Sequence, residues 1–517
     1  MPQLTNPPQV TVEAAADLLL SAGNLVNTRY PASTTFGDIA YDSRRVAKNS
    51  AFICLPGEKT DGNLFIKDAL ALGASIIVTE KDPDSVAAGV AVLQVKDARA
   101  ALAQLADLLY DHPSRKFRLI GVTGTNGKTT TTHLVEHIFS HCQRKIGLIG
   151  TLGARTNVQD KGAYIDMKHT TPQASDLQRL FFDMQNAGVD AVIMEVSSHA
   201  LSLKRVAACS FSSICVTNLT QDHLDFHKDM ESYFAAKRLL FEMLNDGNES
   251  NRTAVVNRDD AWGWRFIEAV KPGVRLLTYG WNSDSDLFVK EAPFDFSGTK
   301  LLLGGLFGDI SINLRLNGKF NVYNVMAALL LCTSEGIEVK DCIEALEEFS
   351  GVAGRFESVN ITEKTSNKRQ PLCLVDYAHT PDGLENVLKS ARALLEGGRL
   401  LAVFGCGGDR DATKRPQMGK IAEDLADIVI VTSDNPRSEE PQTIIDNILT
   451  GIKDQQKVHV EVDRSSAIHH AVSIANDNDI IVVAGKGHET YQILRDKTID
   501  FDDRLVVRAA LKTRLSR

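Results

Sequence analysis

The most informative chemistry in this chain is a candidate phosphate-binding loop. An apolar run at 119–123 stops at a glycine-rich turn, and apolar residues at helical spacing begin again at Leu134. The pattern therefore predicts a strand, a loop and a helix. The loop and the first residues of the helix are Gly124, Thr125, Asn126, Gly127, Lys128, Thr129 and Thr130.

Loops of this kind bind phosphates through their backbone N–H groups and through the positive end of the following helix. Lys128 would neutralise the outer phosphates, and Thr129 would place its hydroxyl on Mg²⁺. Val122 stands where the general pattern has its first glycine. A plain glycine turn beside a surface lysine is the competing interpretation. The position between strand and helix favours a variant nucleoside triphosphate site instead.

Two other side chains, Glu195 and His223, follow apolar strands of the same region. Functional loops of parallel sheets lie at the carboxyl ends of strands. A carboxylate suits Mg²⁺, and an imidazole is a less usual ligand. Either residue alone is explained by a capped loop or a satisfied core position. Together with the phosphate loop, they favour a metal site.

Length and composition indicate a soluble protein of several domains. A chain of 517 residues is too long to form a single hydrophobic core. Its content of 43% hydrophobic and 24% charged residues is typical of globular proteins. A net charge of −9 argues against a nucleic-acid binder. The first residues do not form a signal peptide, and no apolar run reaches the length of a membrane span. Eight cysteines without CxxC spacing predict free thiols in a reducing cytoplasm.

Alternating apolar strands and amphipathic helices predict an α/β fold of three domains. Residues 1–113 form a small N-terminal α/β domain, 114–351 a central P-loop domain with a parallel sheet, and 352–517 a Rossmann-like C-terminal domain. The predicted strands of the last two domains are 117–122, 146–149, 191–194, 214–217, 372–375, 400–404, 428–431 and 480–483.

Five motifs together resemble those of the Mur ligases of peptidoglycan synthesis. They lie at 124–129, 194–199, 218–223, 321–324 and 376–381, and the resemblance runs from about Tyr41 to the C-terminus. The run 434–437, Asp-Asn-Pro-Arg, looks like the motif of the members that add meso-diaminopimelate. Relatives that add lysine lack that arginine.

The resemblance implies an ATP-dependent, amide-bond-forming ligase of cell wall biogenesis, and so of cell shape and division. ATP would phosphorylate the D-Glu side carboxylate of UDP-N-acetylmuramoyl-L-Ala-D-Glu, and the amine of meso-diaminopimelate would attack the acyl phosphate. Activation is needed because a carboxylate is a poor electrophile. Lys128 and Mg²⁺ would stabilise the spreading charge. The implied cofactors are ATP and Mg²⁺, and the implied form is a cytoplasmic monomer without nucleic acid or membrane insertion.

The resemblance also implies roles for single residues. The catalytic set is Lys128, Glu195, His223 and Lys237. Lys237 would be carbamylated and would join Thr129, Glu195 and His223 around the metal, although a solvated charge on an amphipathic helix is the plainer interpretation. Further nucleotide contacts would come from Asn321, Asn324, Arg355 and Asp376. The UDP site would contain Tyr41, Ser43, Glu58, Lys59 and Thr60. The muramoyl-dipeptide would be held by His169, Thr170, Thr171, Ser197, Leu203 and Arg205. The amino-acid pocket would consist of Arg410, Asp434, Asn435, Pro436, Arg437, Gly485 and Glu489.

Two of these positions depart from the expected pattern, because His169 replaces the Asn of some relatives and Leu203 replaces a Gln. Three other functions compete with this interpretation. A lysine-adding Mur ligase would lack Arg437. A folylpolyglutamate synthetase would lack the UDP-binding first domain that 11–111 provide. A non-catalytic nucleotide-binding regulator would leave the polar loops of the last domain unexplained. Lys486 does not mark a second nucleotide loop, because no Ser or Thr follows it.

Overall fold

Three α/β units make up the molecule, and the predicted fold class is confirmed. The computed structural model describes the chain except for residues 1–7, 32, 58–59, 83–85, 87–88, 159–164, 166, 168, 247–250, 296–297, 362–369, 396 and 517. The predicted residues Glu58 and Lys59 therefore lie outside the described part of the chain. Among the helices described, none combines the length and the apolar character that a membrane span requires.

The N-terminal unit is built on a five-stranded sheet in the order β2-β7-β6-β5-β4, parallel except at β2. Its elements are β1 (Val10–Thr11), α1 (Val12–Ser21), β2 (Leu25–Arg29), β3 (Thr35–Phe36), β4 (Asp38–Ala40), β5 (Ser50–Ile53), α2 (Ile66–Ala71), β6 (Ala74–Thr79), β7 (Ala91–Val95) and α3 (Ala98–Leu109). A short 3-10 helix, Pro113–Arg115, leads to the next unit.

An eleven-stranded sheet forms the central unit. Seven of its strands lie side by side in the order β10-β9-β11-β8-β12-β13-β14. The elements are β8 (Arg118–Thr123), α4 (Lys128–His141), β9 (Ile146–Gly150), β10 (Gly153–Thr156), α5 (Ala174–Asn186), β11 (Ala191–Glu195), α6 (Ser198–Ser202), β12 (Ser213–Val216), α7 (Leu224–His227), α8 (Met230–Asp246), β13 (Thr253–Asn257), α9 (Gly263–Glu268), β14 (Arg275–Gly280), β15 (Leu287–Glu291), β16 (Phe294–Asp295), β17 (Gly298–Gly305), β18 (Ile310–Leu314), α10 (Lys319–Ser334) and α11 (Val339–Glu348).

Strands β9, β11, β8, β12 and β13 run parallel, so their carboxyl ends meet at one edge. Two apolar clusters cover the two faces of this sheet. The phosphate loop follows β8, Glu195 ends β11, and His223 follows β12. The topology therefore delivers the predicted catalytic side chains to the same edge.

The C-terminal unit has a six-stranded sheet in the order β19-β20-β24-β21-β22-β23, parallel from β20 onward. Its elements are β19 (Glu357–Ser358), β20 (Leu372–Asp376), α12 (Pro381–Ala393), β21 (Leu400–Phe404), α13 (Lys414–Leu425), β22 (Ile428–Val431), α14 (Pro441–Leu449), β23 (Val458–Val460), α15 (Arg464–Ile474), β24 (Ile480–Ala484), β25 (Tyr491–Ile493), β26 (Thr498–Asp500) and α16 (Asp503–Leu515).

The eight predicted strands lie within one residue of the observed bounds at each end. The elements that the sequence did not predict include β2, β4, α2 and the two strands of the β25–β26 hairpin. β2 is an edge strand whose residues are only partly buried or exposed, so it lacks the apolar run used to find strands. All eight cysteines are free thiols, as predicted; Cys142 is partly exposed and the other seven are buried.

The linker to the C-terminal unit, residues 351–356, has an unusual backbone. Gly351 and Gly354 have φ values of 105° and 66°, and a Cβ at Gly354 would lie 2.1 Å from the backbone nitrogen of His488. Glycine is therefore required at 354. Phe356 also has a positive φ, 52°, which is rare for a large side chain.

A buried ion pair ties the C-terminal unit together. Arg464 donates from Nε to Asp503 Oδ1 at 2.8 Å and from Nη2 to Oδ2 at 2.7 Å, and neither side chain is exposed to solvent. The same guanidinium donates to the carbonyl of Ala484 at 3.0 Å and to that of Ser433 at 3.4 Å. It thus holds the chain where β24 ends and just beyond the end of β22.

Asp503→Ala is expected to lower the free energy of unfolding of this unit by roughly 3–5 kcal/mol, because Arg464 would remain buried without its carboxylate. Urea unfolding followed by circular dichroism measures the change. The control is Asp424→Ala, which removes an exposed partner of Lys420 and should cost under about 1 kcal/mol. Equal effects of the two substitutions would contradict the prediction.

Candidate active site

A cavity of about 480 Å³ lies between the central and C-terminal units, at the carboxyl ends of β8, β11 and β12. The predicted residues that line it are Gly124, Thr125, Asn126, Gly127, Lys128, Thr129, Thr130, Thr170, Glu195, Ser197, His223, Lys237, Asn324, Arg355 and Asp376. The phosphate-loop residues and the candidate metal ligands therefore face the same space.

Gly127 has a φ of 87° and directly precedes α4, so the loop turns sharply into the helix. Lys128, the first residue of α4, is partly buried and folds back over the loop. Its ammonium donates to the carbonyls of Gly124 and Thr125, both at 2.8 Å. Lys128 is thus a partly enclosed cation at the loop and not the exposed surface lysine of the competing interpretation.

Lys237, on α8, is 1% exposed and donates to the same Gly124 carbonyl at 2.9 Å. Two ammonium groups that share one acceptor oxygen lie close together. Burial, reinforced by the charge of Lys128, holds the pKa of Lys237 well below its ordinary value. The amine of Lys237 is therefore shifted towards its neutral form.

Glu195 is fully buried, and both its oxygens face Thr151: Oε1 accepts from the backbone N–H at 2.8 Å and Oε2 from the hydroxyl at 3.0 Å. Each oxygen keeps a lone pair for a cation. Among the described residues no cluster of three or more His, Cys, Asp or Glu side chains could hold a metal alone. Mg²⁺ commonly uses one or two carboxylates, with water and phosphate oxygens completing its shell. Glu195 and the Thr129 hydroxyl suit that mode.

His223 has a φ of 55° and lies directly before α7. Its Nε2 is 3.3 Å from Asp222 Oδ2, and its ring meets the edge of His199 with 4.8 Å between centroids. Burial lowers the pKa of His223 below its ordinary value, with Asp222 opposing the shift. The imidazole is consequently neutral near pH 7, the form that binds metals.

Arg355 and Asp376 bring the linker and the last unit to the phosphate loop. Arg355 Nη2 donates to Thr129 Oγ1 at 2.9 Å, and its guanidinium carbon lies 4.4 Å from the centre of the Tyr377 ring. Asp376 accepts the backbone N–H groups of Phe356 at 2.6 Å and Ala378 at 2.7 Å. Burial raises the pKa of Asp376 to about 6.

Asn321 and Asn324 lie one helical turn apart at the start of α10. Asn324 Nδ2 donates to Asn321 Oδ1 at 3.2 Å, and Asn321 Nδ2 donates to the Asn317 carbonyl at 2.8 Å. Asn324 lines the cavity, whereas Asn321 stands behind it. A direct contact with a nucleotide base is therefore more accessible to Asn324.

Sequence reasoning missed Asp382, which joins the two units at the loop. Asp382 Oδ2 accepts Asn126 Nδ2 at 2.7 Å, across 256 residues of chain, and the Thr220 hydroxyl at 3.3 Å. It directly follows Pro381, where the recognised 376–381 motif ends. An acidic residue in the first turn of a helix is ordinarily explained by the helix dipole, so the sequence carried no signal of this contact.

The six residues predicted for the dipeptide are close in the chain and partly close in space. Thr171 Oγ1 donates to the Glu195 carbonyl at 2.9 Å and accepts the Ser197 N–H at 3.1 Å, and Arg205 Nη1 donates to the Thr171 carbonyl at 2.9 Å. Thr170 and Ser197 reach the cavity. His169 is exposed, and Leu203 caps the end of α6.

The predicted UDP residues that the structure describes lie away from this cavity. The Tyr41 hydroxyl donates to Asp176 Oδ2 at 2.9 Å, and Arg45 pairs with the same carboxylate at 2.8 Å. Tyr41 thereby fixes the N-terminal unit to α5 of the central unit. Ser43 opens a 3-10 helix, and Thr60 is exposed.

The predicted amino-acid residues gather at the carboxyl ends of β22 and β24. Asn435 Nδ2 donates to Glu489 Oε2 at 2.8 Å. Gly485 has a φ of 122°, and a Cβ there would lie 2.8 Å from Asp434 Oδ2. Asp434 Oδ1 is buried without a hydrogen bond. This small cluster is separate from the cavity lining.

Arg437 and Arg410 follow neighbouring strands, and their loops meet as the parallel sheet predicts. Arg437 Nη1 donates to the Gly408 carbonyl at 2.8 Å, and the Gly408 N–H donates to the Asn435 carbonyl at 2.9 Å. Arg437 does not form a surface ion pair with the nearby Glu439, which instead pairs with Arg415 at 2.8 Å. Arg410 is exposed, and Pro436 is buried.

Comparisons with known proteins identify the family to which this chain is similar. Three family profiles match the chain: "Mur ligase family, catalytic domain" over residues 36–110, "Mur ligase middle domain" over 122–332, and "Mur ligase, glutamate ligase domain" over 354–487. A relative from Gloeobacter violaceus, UDP-N-acetylmuramoyl-L-alanyl-D-glutamate–2,6-diaminopimelate ligase, is 44% identical over 97% of this chain and 98% of its own. One of the same name from Clostridium botulinum is 44% identical over 92% and 95%. A solved structure of a ligase of this name has a TM-score of 0.68 and 31% identity, covering 98% of this chain and 99% of its own.

Proposed function

Because the chain belongs to the Mur ligase family, we propose that it uses ATP to join meso-diaminopimelate to the D-Glu side carboxylate of UDP-N-acetylmuramoyl-L-Ala-D-Glu. The observation that carries this proposal is the cavity that places a phosphate loop, a buried carboxylate and a low-pKa lysine beside the C-terminal unit. The names of the near full-length relatives support the choice of substrates.

In this proposal the phosphate loop binds ATP, and Lys128 leaves its two carbonyl partners to neutralise the outer phosphates. Thr129, Glu195, His223 and carbamylated Lys237 would hold Mg²⁺, which would supply charge stabilisation during phosphoryl transfer. Asn324, with Asn321 behind it, contacts the base. Arg355 and Asp376 approach the nucleotide from the linker and the last unit. Asp382 helps to keep that unit against the loop.

The remaining predicted residues take the other substrates. Thr170, Thr171, Ser197 and Arg205 hold the muramoyl-dipeptide, with His169 and Leu203 at its edge. The residues proposed to hold UDP are Tyr41, Ser43, Glu58, Lys59 and Thr60. Closure of the C-terminal unit excludes water, so that the acyl phosphate meets an amine before it is hydrolysed. The division at 113/114 and 351/352, the cytoplasmic location, the monomeric state and the roles in cell shape and division belong to the same proposal.

ADP release tests the proposal. It is measured with ATP and Mg²⁺ in the presence and absence of UDP-muramoyl-dipeptide and of diaminopimelate. Release that requires both substrates supports the ligase, whereas release independent of both indicates a plain nucleoside triphosphatase. A panel of amino acids separates the diaminopimelate-adding ligase from a lysine-adding one, and replacing the muramoyl substrate with folate tests the folylpolyglutamate alternative.

Arg437→Ala is expected to raise the KM for diaminopimelate and leave ATP binding unchanged. If Arg437 exchanges its carbonyl partner for the distal carboxylate of the substrate, losing that charged hydrogen bond costs roughly 2–5 kcal/mol, so kcat/KM should fall tens-fold or more. Arg437 has a φ of 52°, and alanine meets a similar backbone cost, so the substitution isolates the side chain. The exposed Arg508→Ala is the matched control.

The wild-type protein is expected to use L-lysine poorly. Lysine lacks the distal carboxylate, so Arg437 would keep only its backbone carbonyl partners and gain no charged hydrogen bond. A polar site discriminates strongly against an analogue that cannot pair with it. The measurement is kcat/KM for both amino acids. Equal use of the two would refute the selectivity and leave the ligase assignment intact.

A further inference from the structure

Lys486 is a fully buried cation that the proposed reaction does not use. It lies between Gly485 and Glu489, in the loop after β24, and none of its side chain is exposed. Burial of a lysine requires paired partners, since an unpaired ammonium group loses its hydration. The side chains around Lys486 therefore indicate its role.

Three polar side chains surround the ammonium group. Lys486 Nζ donates to Asn435 Oδ1 at 3.0 Å and to Glu489 Oε2 at 3.1 Å, and it lies 3.7 Å from Asp434 Oδ1. All three belong to the proposed amino-acid pocket. Lys486 is occupied by them and has no exposed surface, so it can act on a substrate only through these neighbours.

The contact with Asn435 fixes which way its amide points. Asn435 Oδ1 accepts from Lys486 and from the Ile493 N–H at 2.9 Å, so Nδ2 is directed to Glu489 Oε2. Without the lysine, the amide loses one of the two donors that hold its oxygen. The orientation of a donor in the pocket therefore depends on Lys486.

Lys486 also contributes a positive charge beside the two carboxylates of the cluster. Asp434 and Glu489 lie 3.7 Å and 3.1 Å from Lys486 Nζ, so the cluster contains two carboxylates and one buried lysine. Burial raises the pKa of Glu489, Lys486 lowers it, and Asp434 raises it. Arg464 on α15 and Tyr377 after β20 also face Glu489, and the centre of the Tyr491 ring on β25 lies 5.7 Å from Lys486 Nζ. With Lys486 in place the cluster keeps a net negative charge that suits an ammonium group.

Arg464 supports the two loops that carry this cluster. Arg464, held by Asp503, binds the carbonyls of Ser433 and Ala484, which directly precede Asp434 and Gly485. Arg464 and Lys486 therefore both connect the loop after β22 to the loop after β24. Supporting contacts of this kind hold the side chains of a binding site in the positions that a ligand needs.

We infer that Lys486 is a positioning residue for the incoming amino acid: it orients Asn435 and keeps Asp434 and Glu489 together as anions that receive a substrate ammonium group. This inference rests on the proposed function. It assigns to Lys486 a role in recognition that differs from that of a phosphate-binding lysine.

The test compares wild type with K486M and K486Q in the complete ligase assay between pH 6 and 9. For K486M, kcat/KM for diaminopimelate should fall at least tenfold at pH 7, through KM, while the KM values for ATP and UDP-muramoyl-dipeptide stay unchanged. The acid limb of the kcat/KM profile reports groups of the free enzyme, and it should move to higher pH because Glu489 loses its cation. K486Q retains a donor for Asn435 and should recover more at high pH than K486M. Exposed Lys512→Met is the control.

A K486M profile that superimposes on that of the wild type, with an unchanged KM for diaminopimelate, overturns the inference. So does an equal loss with all three substrates, which indicates only general destabilisation. If K486M fails to fold by circular dichroism, K486Q is judged by the same criteria. Wild-type protein that releases ADP without diaminopimelate dependence refutes the proposed function itself, and that result is distinguishable from both.

Discussion

Lys237→Ala is expected to lose nearly all ligase activity, on the order of 10²–10³-fold, and to regain part of it with short carboxylic acids such as acetate. Lys237 and Lys128 both donate to one carbonyl oxygen, that of Gly124. A second free ammonium group there would repel Mg²⁺. Removal of a charge-stabilising group at a reacting centre typically costs this much in kcat.

Carbamylation resolves the repulsion. The neutral amine attacks CO₂, loses a proton and becomes a carbamate anion, which can ligate or orient the metal. An ordinary lysine, with a pKa of about 10.4, is almost entirely protonated at neutral pH and reacts poorly. Burial and the nearby Lys128 lower the pKa of Lys237, so the reactive amine is more abundant at this position.

Activity is measured with and without added acid, and the exposed Lys340→Ala is the matched control. Acetate should stimulate only the Lys237→Ala protein, because it restores a carboxylate in the vacated space. Full activity of the unrescued variant would remove the carbamate hypothesis.

Lys128→Ala is expected to abolish turnover while the protein stays folded. The loop would lose the cation that neutralises the outer phosphates during transfer. Lys128 donates two hydrogen bonds to loop carbonyls, each worth about 0.5–1.5 kcal/mol net. Both carbonyls lie on cavity-lining residues that water can reach, so thermal melting should fall by only a few degrees.

Exposed Lys116→Ala, in the same unit, controls for removal of a lysine. Turnover and ATP binding are measured on both proteins, together with melting. Near-normal ligation by a folded Lys128→Ala protein would refute the phosphate-loop assignment.

The positions of Glu195, His223 and the phosphate loop at one sheet edge follow from sequence because parallel strands share a direction. Short apolar strands at β8, β11 and β12 were sufficient to predict it. Lys237 is different: an amphipathic helix does not reveal that one lysine faces a loop across 113 residues of chain. That contact needed the resemblance to a family, or the structure.

Contacts between units and between non-sequential strands were not predictable. Asp382 reaches Asn126 only because the C-terminal unit docks on the loop. The Lys486 cluster requires the order β24-β21-β22, which places one strand between two loops that still meet above it. Strand order is set by packing of whole helices and sheets, and no local pattern records it.

The positive φ of Phe356 stores conformational energy in the linker. A non-glycine residue in the left-handed region costs on the order of 1–2 kcal/mol. Phe356 is kept there by its N–H bond to Asp376 and by its ring against Phe320, 5.6 Å between centroids. A rotation of the C-terminal unit that returned this φ to negative values would recover that energy. The linker keeps this strained backbone while Asp382 and Arg355 contact the phosphate loop, and breaking those contacts would allow it to relax.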